Sequence, residues 1–522
     1  MRPLTTRLAA ALRRVFAPLD AAANRLYGGR FNPLYQSGTI AAALLVILLV
    51  TGVYLLLFYR IGAPWASVQR ITDQVWLGRW IRGLHRYAAD LAVVATAVHA
   101  LRMFAQRRSW GRRVLPWVSG LVALGIVLVS GWTGYVLIWD SFGRLLAVEG
   151  ARLFDLVPLF SEPISRAFVG ERPMPAPFFF LNLFAHIAIP LGMGIVLWLH
   201  VSRVARPTLL PPRPLLWWGT AALTALALLW PVGMAEAASA FRLPQVVPLD
   251  LFYAFWLPAA RGVPAGWSAA GLVLVTVALL LVPRWTTPPK GSRPAPSAVD
   301  EHTCTGCTQC ALDCPYEAIS MVPRTANPVG RSPLVGRVDP GRCVSCGICA
   351  GSCSPMGVGP PGRTGRDQLD SVRAFTKQHR PGPGDVVVIA CSLGLGAQPG
   401  RLGDAPLYPV ACAGSVHTSV IELLLRSGAG GVLVLACPER DCWNREGPRW
   451  LEQRLYRQRE AELYERVDRR RVRLALVSSG QAREARAELA ALRAAVAALA
   501  VAGAETAPDV LRECETVPEE TP

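Results

Sequence analysis

Four histidines lie inside apolar segments of membrane length and form two pairs with identical spacing. His85 and His99 share one segment, and His186 and His200 share another. Fourteen residues is close to four helical turns, so each pair lies on one helix face, about 21 Å apart along the axis. Ionisable side chains inside a bilayer are costly and usually face a bundle interior or a ligand. The two pairs predict bis-imidazole clamps for two haems, one near each membrane surface. Ordinary buried core histidines are the alternative.

Four glycines repeat the same fourteen-residue spacing on two other apolar segments. Gly38 and Gly52 lie in the first segment, and Gly120 and Gly134 lie in the third. Small residues allow a helix to be approached closely, so we expect these glycines to make room for two flat macrocycles. Ordinary helix packing explains any one such pair. Four pairs with one period favour a four-helix haem-binding core.

All thirteen cysteines follow residue 300, and eight of them form two runs of the type C-x2-C-x2-C-x3-C. This is the pattern of two-cluster bacterial ferredoxins, in which the fourth cysteine of each run ligates the other cluster. Zinc sites more often use separate CxxC pairs. The pattern predicts one [4Fe–4S] cluster on Cys304, Cys307, Cys310 and Cys353, and a second on Cys343, Cys346, Cys349 and Cys314.

A further group of cysteines lies where short apolar strands alternate with helical patterns. Three of them directly follow apolar strands, and the carboxyl ends of strands are where open α/β sheets bind ligands. We therefore expect the group to form one four-thiolate site, with small buried hydrophobic residues as the alternative. Cys514, in the acidic tail, is expected to be a free thiol. The four cysteines are Cys391, Cys412, Cys437 and Cys442.

Six apolar segments are each long enough to cross a bilayer as a helix, which predicts an all-α transmembrane bundle. Arginine is dense before the first segment, between the second and third, and after the fourth, which places both termini in the cytoplasm. The metal-type cysteine pattern independently indicates a reducing compartment. We expect a multi-pass protein of a prokaryotic inner membrane. The segments lie near 37–59, 85–106, 115–139, 178–204, 214–234 and 265–283.

The net charge of +18 is high enough to raise the question of nucleic-acid binding. Much of this charge, however, is arginine in loops beside apolar spans, where membrane topology explains it better. No nucleic-acid partner is expected.

Several motifs resemble cytochrome b of the quinol–cytochrome c oxidoreductases. They are RGLHR (82–86), HALR (99–102), GWTGYVLIWD (131–140) and FFFLNLFAHIAIP (178–190). The resemblance implies that the first histidines of the two helices share an outer haem b, that the second share an inner haem b, and that two arginines pair with haem propionates. It also implies quinone as a substrate and a homodimer through the membrane domain. The residues carried over are His85 and His186 (outer), His99 and His200 (inner), and Arg82 and Arg102 (propionates).

The chain departs from this family where the outer quinol pocket is expected. The family has a Pro-Glu-Trp-Tyr motif, whereas residues 247–258 read VPLDLFYAFWLP and Leu249 takes the place of the glutamate. The resemblance therefore supports quinone chemistry more strongly than it supports bifurcated quinol oxidation. The candidates for quinone and proton handling are Asp250 and Tyr253, with Asp140 and Glu149 as weaker ones.

Two further motifs, ACAGSVH (411–417) and ACPERDCWNREG (436–447), resemble the delta subunit of methyl-viologen-reducing hydrogenase. That family carries a [2Fe–2S] cluster and passes electrons to flavin-containing partners of the heterodisulfide-reductase type. It has two cysteines at the first position, where this chain has only Cys391. The resemblance implies one [2Fe–2S] cluster and a separate cytoplasmic partner: a heterodisulfide-reductase-like flavoprotein, a hydrogenase or a formate dehydrogenase.

The expected fold is therefore multi-domain: a six-span helical bundle, an α+β dicluster ferredoxin domain and an α/β iron–sulfur domain. The leading hypothesis is a membrane electron-transfer subunit between the quinone pool and a cytoplasmic redox enzyme. The alternative is a redox-sensing anchor that recruits a cytoplasmic complex without quinone turnover. The predicted boundaries are 1–283 (cytochrome b-like), 284–299 (linker), 300–357 (ferredoxin), 358–384 (linker), 385–504 (delta-subunit-like) and 505–522 (disordered tail).

Overall fold

The computed structural model describes residues 2–157, 162–168, 174–202, 204–241, 244, 247, 250–289, 294–325, 332–457 and 459–505. The chain forms two compact units. The first comprises Met1–Phe16 and Phe31–Lys290, and the second comprises Ala17–Arg30 and Gly291–Pro522. Helix α1 (Arg2–Phe31) contributes residues to both.

The first unit is helical. Its helices are α2 (Ser37–Leu56), α3 (Pro64–Asp73), α4 (Gly78–Ala105), α5 (Val114–Ile138), α6 (Ser141–Phe154), α7 (Ala176–Ser202), α8 (Arg213–Leu229), α9 (Leu257–Gly262) and α10 (Ala265–Thr286). Among the described residues, five of these helices are long and apolar enough to cross a membrane, namely α2, α4, α5, α7 and α10. The predicted span at 214–234 corresponds to α8, whose 17 residues extend for about 26 Å. The count of six spans therefore stays a prediction.

Small residues allow the membrane helices to pack closely. Helix α2 packs on α4, and α5 packs on α7. On α4, Ala88, Ala92 and Ala95 recur at helical spacing and are buried in the core of the bundle. Small side chains at such positions bring helix backbones close together, which fixes the separation of the helices that carry the histidines.

The outer surface of the bundle is apolar. On α10 the consecutive residues Leu272, Val273, Leu274 and Val275 are all more than half exposed. A run of exposed apolar side chains that covers every face of a helix is unfavourable in water and typical of contact with lipid. The chain is thus a multi-pass membrane protein.

Two shorter helices, α3 and α6, are amphipathic and lie outside the predicted spans. Asp140 caps α6, because its side chain accepts a hydrogen bond from the Gly143 amide at 2.8 Å, and it also accepts one from Ala235 N at 3.2 Å. Glu149 is buried and pairs with Arg152 at 3.2 Å. These two weaker proton-handling candidates therefore have structural partners, and Asp140 serves as a helix N-cap.

The second unit begins with a cysteine-rich α+β segment. Strands β1 (Ala298–Val299) and β4 (Val358–Gly359) pair antiparallel, as do β2 (Ile319–Pro323) and β3 (Leu334–Val338). One short helix carries the third cysteine of each run: α11 (Gln309–Leu312) carries Cys310, and α12 (Ile348–Gly351) carries Cys349. Each helix therefore turns the chain between the third and fourth cysteines of its run.

The rest of the second unit is an α/β fold with a parallel sheet, as the alternating pattern predicts. The strands are ordered β6-β5-β7-β8, all parallel. One sheet face packs against α13, α14 and α15, and the opposite face packs against α16. The elements are α13 (Gly365–His379), β5 (Val386–Cys391), β6 (Leu407–Val410), α14 (Thr418–Arg426), β7 (Gly431–Ala436), α15 (Gly447–Tyr456), β8 (Val472–Leu476) and α16 (Ala482–Glu505).

Candidate redox centres

Helices α4 and α7 bring the histidines together in the predicted pairs. The imidazole of His85 faces that of His186 with ring centroids 6.4 Å apart, and His99 faces His200 at the same 6.4 Å. Two metal–nitrogen bonds of about 2 Å each, with half an imidazole ring on either side, span nearly this separation. Each pair is therefore spaced to hold one metal ion between two rings.

Each glycine of the fourteen-residue pattern faces the edge of one histidine ring. A side chain at Gly38, Gly120 or Gly134 would press on the imidazole, and one at Gly52 would touch it, so the glycines make room for the ligand rings themselves. Helix α2 thus lies against the rings of His85 and His99, and α5 lies against those of His186 and His200. The distances from an added Cβ to Cε1 of the facing ring are 2.9 Å for Gly38 and His99, 3.4 Å for Gly52 and His85, 3.2 Å for Gly120 and His200, and 3.1 Å for Gly134 and His186.

Hydroxyl groups orient three of the four imidazoles. Thr51 Oγ1 donates to the Ile47 carbonyl at 2.7 Å and lies 2.8 Å from Nδ1 of His85. Because the hydroxyl proton is used, its oxygen accepts the Nδ1–H of the ring, and this tautomer directs the lone pair of Nε2 away from α2. The equivalent contacts are Thr133 Oγ1 to His186 Nδ1 at 3.0 Å and Ser119 Oγ to His200 Nδ1 at 3.1 Å.

The sequence reasoning did not identify these hydroxyls, although the signal was present. Each of the four patterned glycines directly follows a serine or threonine, so the hydroxyls repeat with the same spacing of fourteen. Ser37, before Gly38, occupies the remaining position and is buried. The donor set of four facing imidazoles, three of which hold Nδ1–H on a hydroxyl and leave Nε2 available, fits two haems with bis-histidine ligation.

The two arginines expected at haem propionates have partners within the protein. Arg82 donates to the carbonyl oxygens of Val232 at 2.8 Å and Gly233 at 2.7 Å. The Arg102 guanidinium lies over the rings of Phe16 and Tyr35, at 5.1 and 4.8 Å from their centroids. Both side chains are buried. Their role toward propionates stays a prediction.

Asp250 belongs to a cluster of polar side chains at the end of the helical bundle. Arg86 donates to its carboxylate at 3.0 Å and also pairs with Asp90 at 3.1 Å. The Tyr135 hydroxyl donates to the same carboxylate oxygen of Asp250. The Arg86 guanidinium lies 4.7 Å from the ring centroid of Tyr135 and 5.5 Å from that of Tyr253. The two predicted residues, Asp250 and Tyr253, are therefore neighbours; Pro248 and Leu249 lie outside the described residues.

Asp250 is held as an anion. Burial by itself raises the pKa of this carboxyl, but the hydrogen bond from Tyr135, the backbone amides of Tyr253 and Phe252, and the charge of Arg86 outweigh burial and leave the pKa below its ordinary value. Burial raises the pKa of Tyr253, whose hydroxyl donates to the Ala89 carbonyl at 2.7 Å. The pair thus combines a hydrogen-bond acceptor with a neutral phenol.

In the second unit, the first predicted set of ferredoxin-type cysteines lines one cavity. Its walls include Cys304, Cys307, Cys310 and Cys353, together with apolar side chains such as Met321. Burial and the neighbouring thiols raise the pKa of Cys310. Four thiols around a small apolar cavity fit an iron–sulfur cluster, whose binding removes these protons.

The second predicted set also converges. Cys349 lies beside Cys314 and Cys343, and Cys346 lies beside Cys349 and Cys314. Burial raises the pKa of Cys349 to about 12. Backbone amides donate to sulfur in both sets, a contact that tunes cluster potentials: Ala318 N to Cys314 Sγ at 3.3 Å, Ser297 N to Cys343 Sγ at 3.3 Å, and Gly357 N to Cys353 Sγ at 3.3 Å.

The four remaining cysteines of the α/β fold are all buried and form two hydrogen-bonded pairs. The bond from Cys442 lowers the pKa of the Cys412 thiol to about 7, and the bond from Cys437 lowers that of Cys391. Gly447 is needed for this approach, since an added Cβ would lie 2.9 Å from Cys412 Sγ. Within the described ranges, no group of three or more His, Cys, Asp or Glu side chains is arranged to hold a single metal ion.

Comparison with known proteins gives the family. A family model for cytochrome b/b6/petB matches residues 23–208. The cytochrome b6 of Heliobacterium mobile is 31% identical over 142 residues, 27% of this chain and 67% of that protein. The chain belongs to the cytochrome b/b6 family. The menaquinol:cytochrome c reductase cytochrome b subunit of Geobacillus thermodenitrificans is 28% identical over 177 residues, 33% of this chain and 79% of that one.

The cytochrome b region is followed by two other family matches in the predicted order. A 4Fe-4S dicluster domain matches residues 303–357, and the methyl-viologen-reducing hydrogenase delta subunit matches residues 404–500. Among solved structures, a chain of a hyperthermophilic respiratory Complex III is similar at 17% identity with a TM-score of 0.39, over 48% of this chain and 75% of that chain. The sequence families imply haem b and iron–sulfur clusters in a membrane electron-transfer protein.

Proposed function

We propose that this chain moves electrons between the quinone pool and a cytoplasmic redox enzyme through two b haems, two [4Fe–4S] clusters and one [2Fe–2S] cluster. The observation that carries this proposal is the occurrence in one chain of two facing histidine pairs and twelve free cysteines in three groups of four along the sequence. When bound, the haems and clusters supply one-electron carriers, while the protein supplies their placement and tunes their potentials.

In the cytochrome b domain, His85 and His186 are proposed to hold the outer haem, and His99 and His200 the inner one. The glycines on α2 and α5 allow each ring to lie against a helix backbone, and the neighbouring hydroxyls fix the ring orientation. Because the tautomer is already set, rings fixed in this way would present Nε2 to a haem iron without rearrangement. Arg82 and Arg102 are proposed to neutralise the propionates.

The thiol pairs support a [2Fe–2S] cluster as the third centre. In a [2Fe–2S] cluster with four cysteine ligands, each iron takes two of them. We assign Cys391 and Cys437 to one iron, and Cys412 and Cys442 to the other, because these pairs are already in hydrogen-bond contact. Each pair contains one thiol whose pKa is lowered, and a thiolate is the form of cysteine that binds metal.

For quinone chemistry we propose the cluster around Asp250. Its carboxylate is anionic and tied to Arg86, so it is suited to accept a hydrogen bond from a quinol hydroxyl. The Tyr253 hydroxyl is kept neutral by burial and would donate to a quinone carbonyl in exchange for its present bond to the Ala89 carbonyl. The menaquinol substrate in the name of the Geobacillus relative supports a quinone as the lipid-soluble redox partner.

The orientation follows from arginine and aromatic residues. Helix α8 is short, but Trp217, Trp218 and Trp230 at its ends are all more than two-thirds exposed, as in the aromatic belts of membrane-spanning helices. We propose that α8 is the sixth span. With six spans and arginine-rich loops on the cytoplasmic side, we propose that both termini, and therefore the cysteine-rich unit, lie in the cytoplasm.

The partner is proposed to be a separate flavin-containing subunit of the heterodisulfide-reductase type, a hydrogenase or a formate dehydrogenase, as the delta-subunit match at 404–500 suggests. We also propose that the domain boundaries are those predicted from the sequence, and that the chain forms a homodimer through the cytochrome b domain. Co-purification from native membranes, with the subunits identified by mass, identifies the partner.

The test of the proposed function is quinol-driven haem reduction. Membranes that contain the full chain are mixed with a menaquinol or ubiquinol analogue while the α-band of the b haems is recorded. Reduction is expected in the wild type, and the Asp250→Asn variant is expected to be slower at equal haem content. Asp155→Asn is a matched control at a carboxylate whose contacts are with Ile164 and Ser165. Full haem and cluster content without any quinol-driven reduction would contradict the proposal and favour the redox-sensing anchor.

A further inference from the structure

One guanidinium is buried among the segments that carry all three predicted clusters. Arg454, on α15, has no exposed side-chain surface. Its Nη1 donates to Ser352 Oγ at 2.9 Å, its Nη2 donates to the Gly414 carbonyl at 2.7 Å, and it pairs with Asp313 at 3.8 Å. Completely buried charges are rare and need specific partners.

The three partners of Arg454 are neighbours of cluster ligands along the chain. Asp313 precedes Cys314, Ser352 precedes Cys353, and Gly414 follows Cys412 by two residues. The approach is close, because a Cβ on Gly351 would lie 2.8 Å from Arg454 Nη2. The same side chain therefore contacts the first ferredoxin run, the second ferredoxin run and the loop of the α/β fold that carries Cys412.

The guanidinium also has a donor left over. Among the described residues, the buried Nε of Arg454 has no hydrogen-bond partner, and a buried donor without an acceptor is costly. Burial lowers the pKa of Arg454 to about 10 while Asp313 and Cys412 oppose that change, so the group is charged at neutral pH.

Asp313 is the matching anion. It is completely buried, accepts a hydrogen bond from Ser352 Oγ at 2.6 Å and one from Gln309 Nε2 at 3.1 Å, and pairs with Arg459 as well as Arg454. The two paired charges thus lie near different cysteines. The Asp313 carboxylate lies next to Cys314 in the sequence, and the Arg454 guanidinium contacts the loop that carries Cys412.

We propose that Arg454 is a positioning residue that joins the ferredoxin module to the α/β module and raises the reduction potential of the cluster held by Cys391, Cys412, Cys437 and Cys442. The proposal rests on the proposed function, because it requires a cluster at those cysteines. A fixed positive charge near a cluster stabilises the reduced state, which carries one more negative charge. Asp313 has the opposite effect on the cluster that includes Cys314.

The test is an EPR-monitored redox titration of the full chain in detergent, with iron and sulfide measured for each variant. In Arg454→Gln the potential of the third cluster is expected to shift to more negative values. Arg454→Lys, which keeps the charge, is expected to shift it less. In Asp313→Asn the reduction potential of the cluster that includes Cys314 is expected to shift to more positive values. Arg457→Gln is the matched control, because Arg457 follows α15 and pairs with the exposed Glu452; it is expected to leave every potential unchanged.

The outcomes separate this inference from the proposed function. A wild-type chain that reconstitutes without a third cluster overturns the proposed function. A wild-type chain with three clusters, whose third potential is the same in Arg454→Gln, overturns only the role of Arg454. If Arg454→Gln does not retain iron, the double variant Asp313→Asn/Arg454→Gln is titrated in its place. This double variant removes both completely buried charges together. The reduction potential of its third cluster is also expected to shift to more negative values. An unchanged potential of that cluster in the double variant overturns the inference.

Discussion

Thr51 Oγ1 lies 2.8 Å from Nδ1 of His85, and the hydroxyl proton of Thr51 is already donated to the Ile47 carbonyl. The two side chains are on different helices, α2 and α4. The contact therefore determines which nitrogen of His85 carries its proton and which is free to bind metal. It also ties the orientation of a ligand ring to the packing of a second helix.

Removing this hydroxyl is expected to weaken haem binding at the outer level. Thr51→Val leaves the Nδ1–H of His85 without its acceptor, so the ring loses its fixed orientation and some of its basicity, and haem affinity is expected to fall by about 10–100-fold. The midpoint potential of that haem is expected to rise, because the imidazole donates less electron density. Optical redox titration measures both effects.

Two control variants separate this effect from general damage. Thr51→Ser keeps the hydroxyl and is expected to behave like the wild type. Thr276→Val removes a hydroxyl on α10 that bonds only to the Leu272 carbonyl among the described contacts and is expected to leave both haems unchanged. Equal losses of haem affinity in Thr51→Val and Thr276→Val would contradict the role of Thr51.

Gly38 is predicted to be the least tolerant of the four patterned glycines. In Gly38→Ala the new Cβ would lie 2.9 Å from the His99 ring, closer than at Gly52, where the distance to the His85 ring is 3.4 Å. Gly38→Ala is therefore expected to lose the inner haem, and Gly52→Ala to retain both haems. Pyridine haemochrome assay gives the haem-to-protein ratio.

The matched control for the glycines is Gly125→Ala on α5, where an added Cβ meets no atom within 4 Å. It is expected to keep the full haem content. A full haem content in Gly38→Ala as well would mean that the fourteen-residue glycine pattern serves helix packing alone.

Asp250→Asn is expected to cost stability and to slow quinol oxidation. The substitution removes the ion pair with Arg86, but Arg86 retains Asp90, so the loss is expected to be about 1.5–3 kcal/mol, the range for hydrogen bonds to charged groups. Thermal unfolding in detergent measures it. A variant as stable as the wild type would show that Arg86 and Asp250 do not interact in solution.

The stability that Asp250 contributes has a defined pH dependence. Because the folded protein holds the pKa of Asp250 below its ordinary value, which is about 3.9, its contribution is complete above that pH and is lost as the pH falls through the folded pKa. The stability difference between wild type and Asp250→Asn should be constant from about pH 5 to 8 and shrink below about pH 4. A difference that changes near neutral pH would exclude a low pKa.

The topology of α8 can be tested with reporter fusions. If α8 spans the membrane, alkaline phosphatase fused after Thr208 is expected to be inactive and phosphatase fused after Ser239 to be active, because the two positions lie on opposite sides. The same activity at both positions would leave five spans and would place the cysteine-rich unit on the other side from the N-terminus.

The parts of the site that could be predicted from the sequence are those that repeat along the chain. The histidines, glycines and ferredoxin-type cysteines have a fixed period, and a period on a helix or a short loop determines which side chains share a face. The hydroxyls at Thr51 and Thr133 follow the same period and could have been found by reading one residue before each glycine.

Contacts between residues far apart in the sequence could not be predicted. Arg86 and Asp250 are 164 residues apart, and Arg454 and Ser352 are 102 apart. No spacing rule relates such residues, because tertiary packing alone brings them together. The count of six spans stays a prediction, since the apolar segment at 214–234 forms a helix, α8 (Arg213–Leu229), of only 17 residues.

The central claim is that the quinone site and the iron–sulfur clusters belong to one electron path. The most direct test reduces all centres of the purified full chain, adds a quinone analogue, and follows the b-haem α-band and the cluster EPR signals on rapid freezing. Quinone is expected to oxidise haems and clusters together in the wild type, and to leave the clusters reduced in His99→Leu/His200→Leu. Clusters that stay reduced in the wild type while its haems are oxidised, or that are oxidised equally fast in the variant, would contradict the claim.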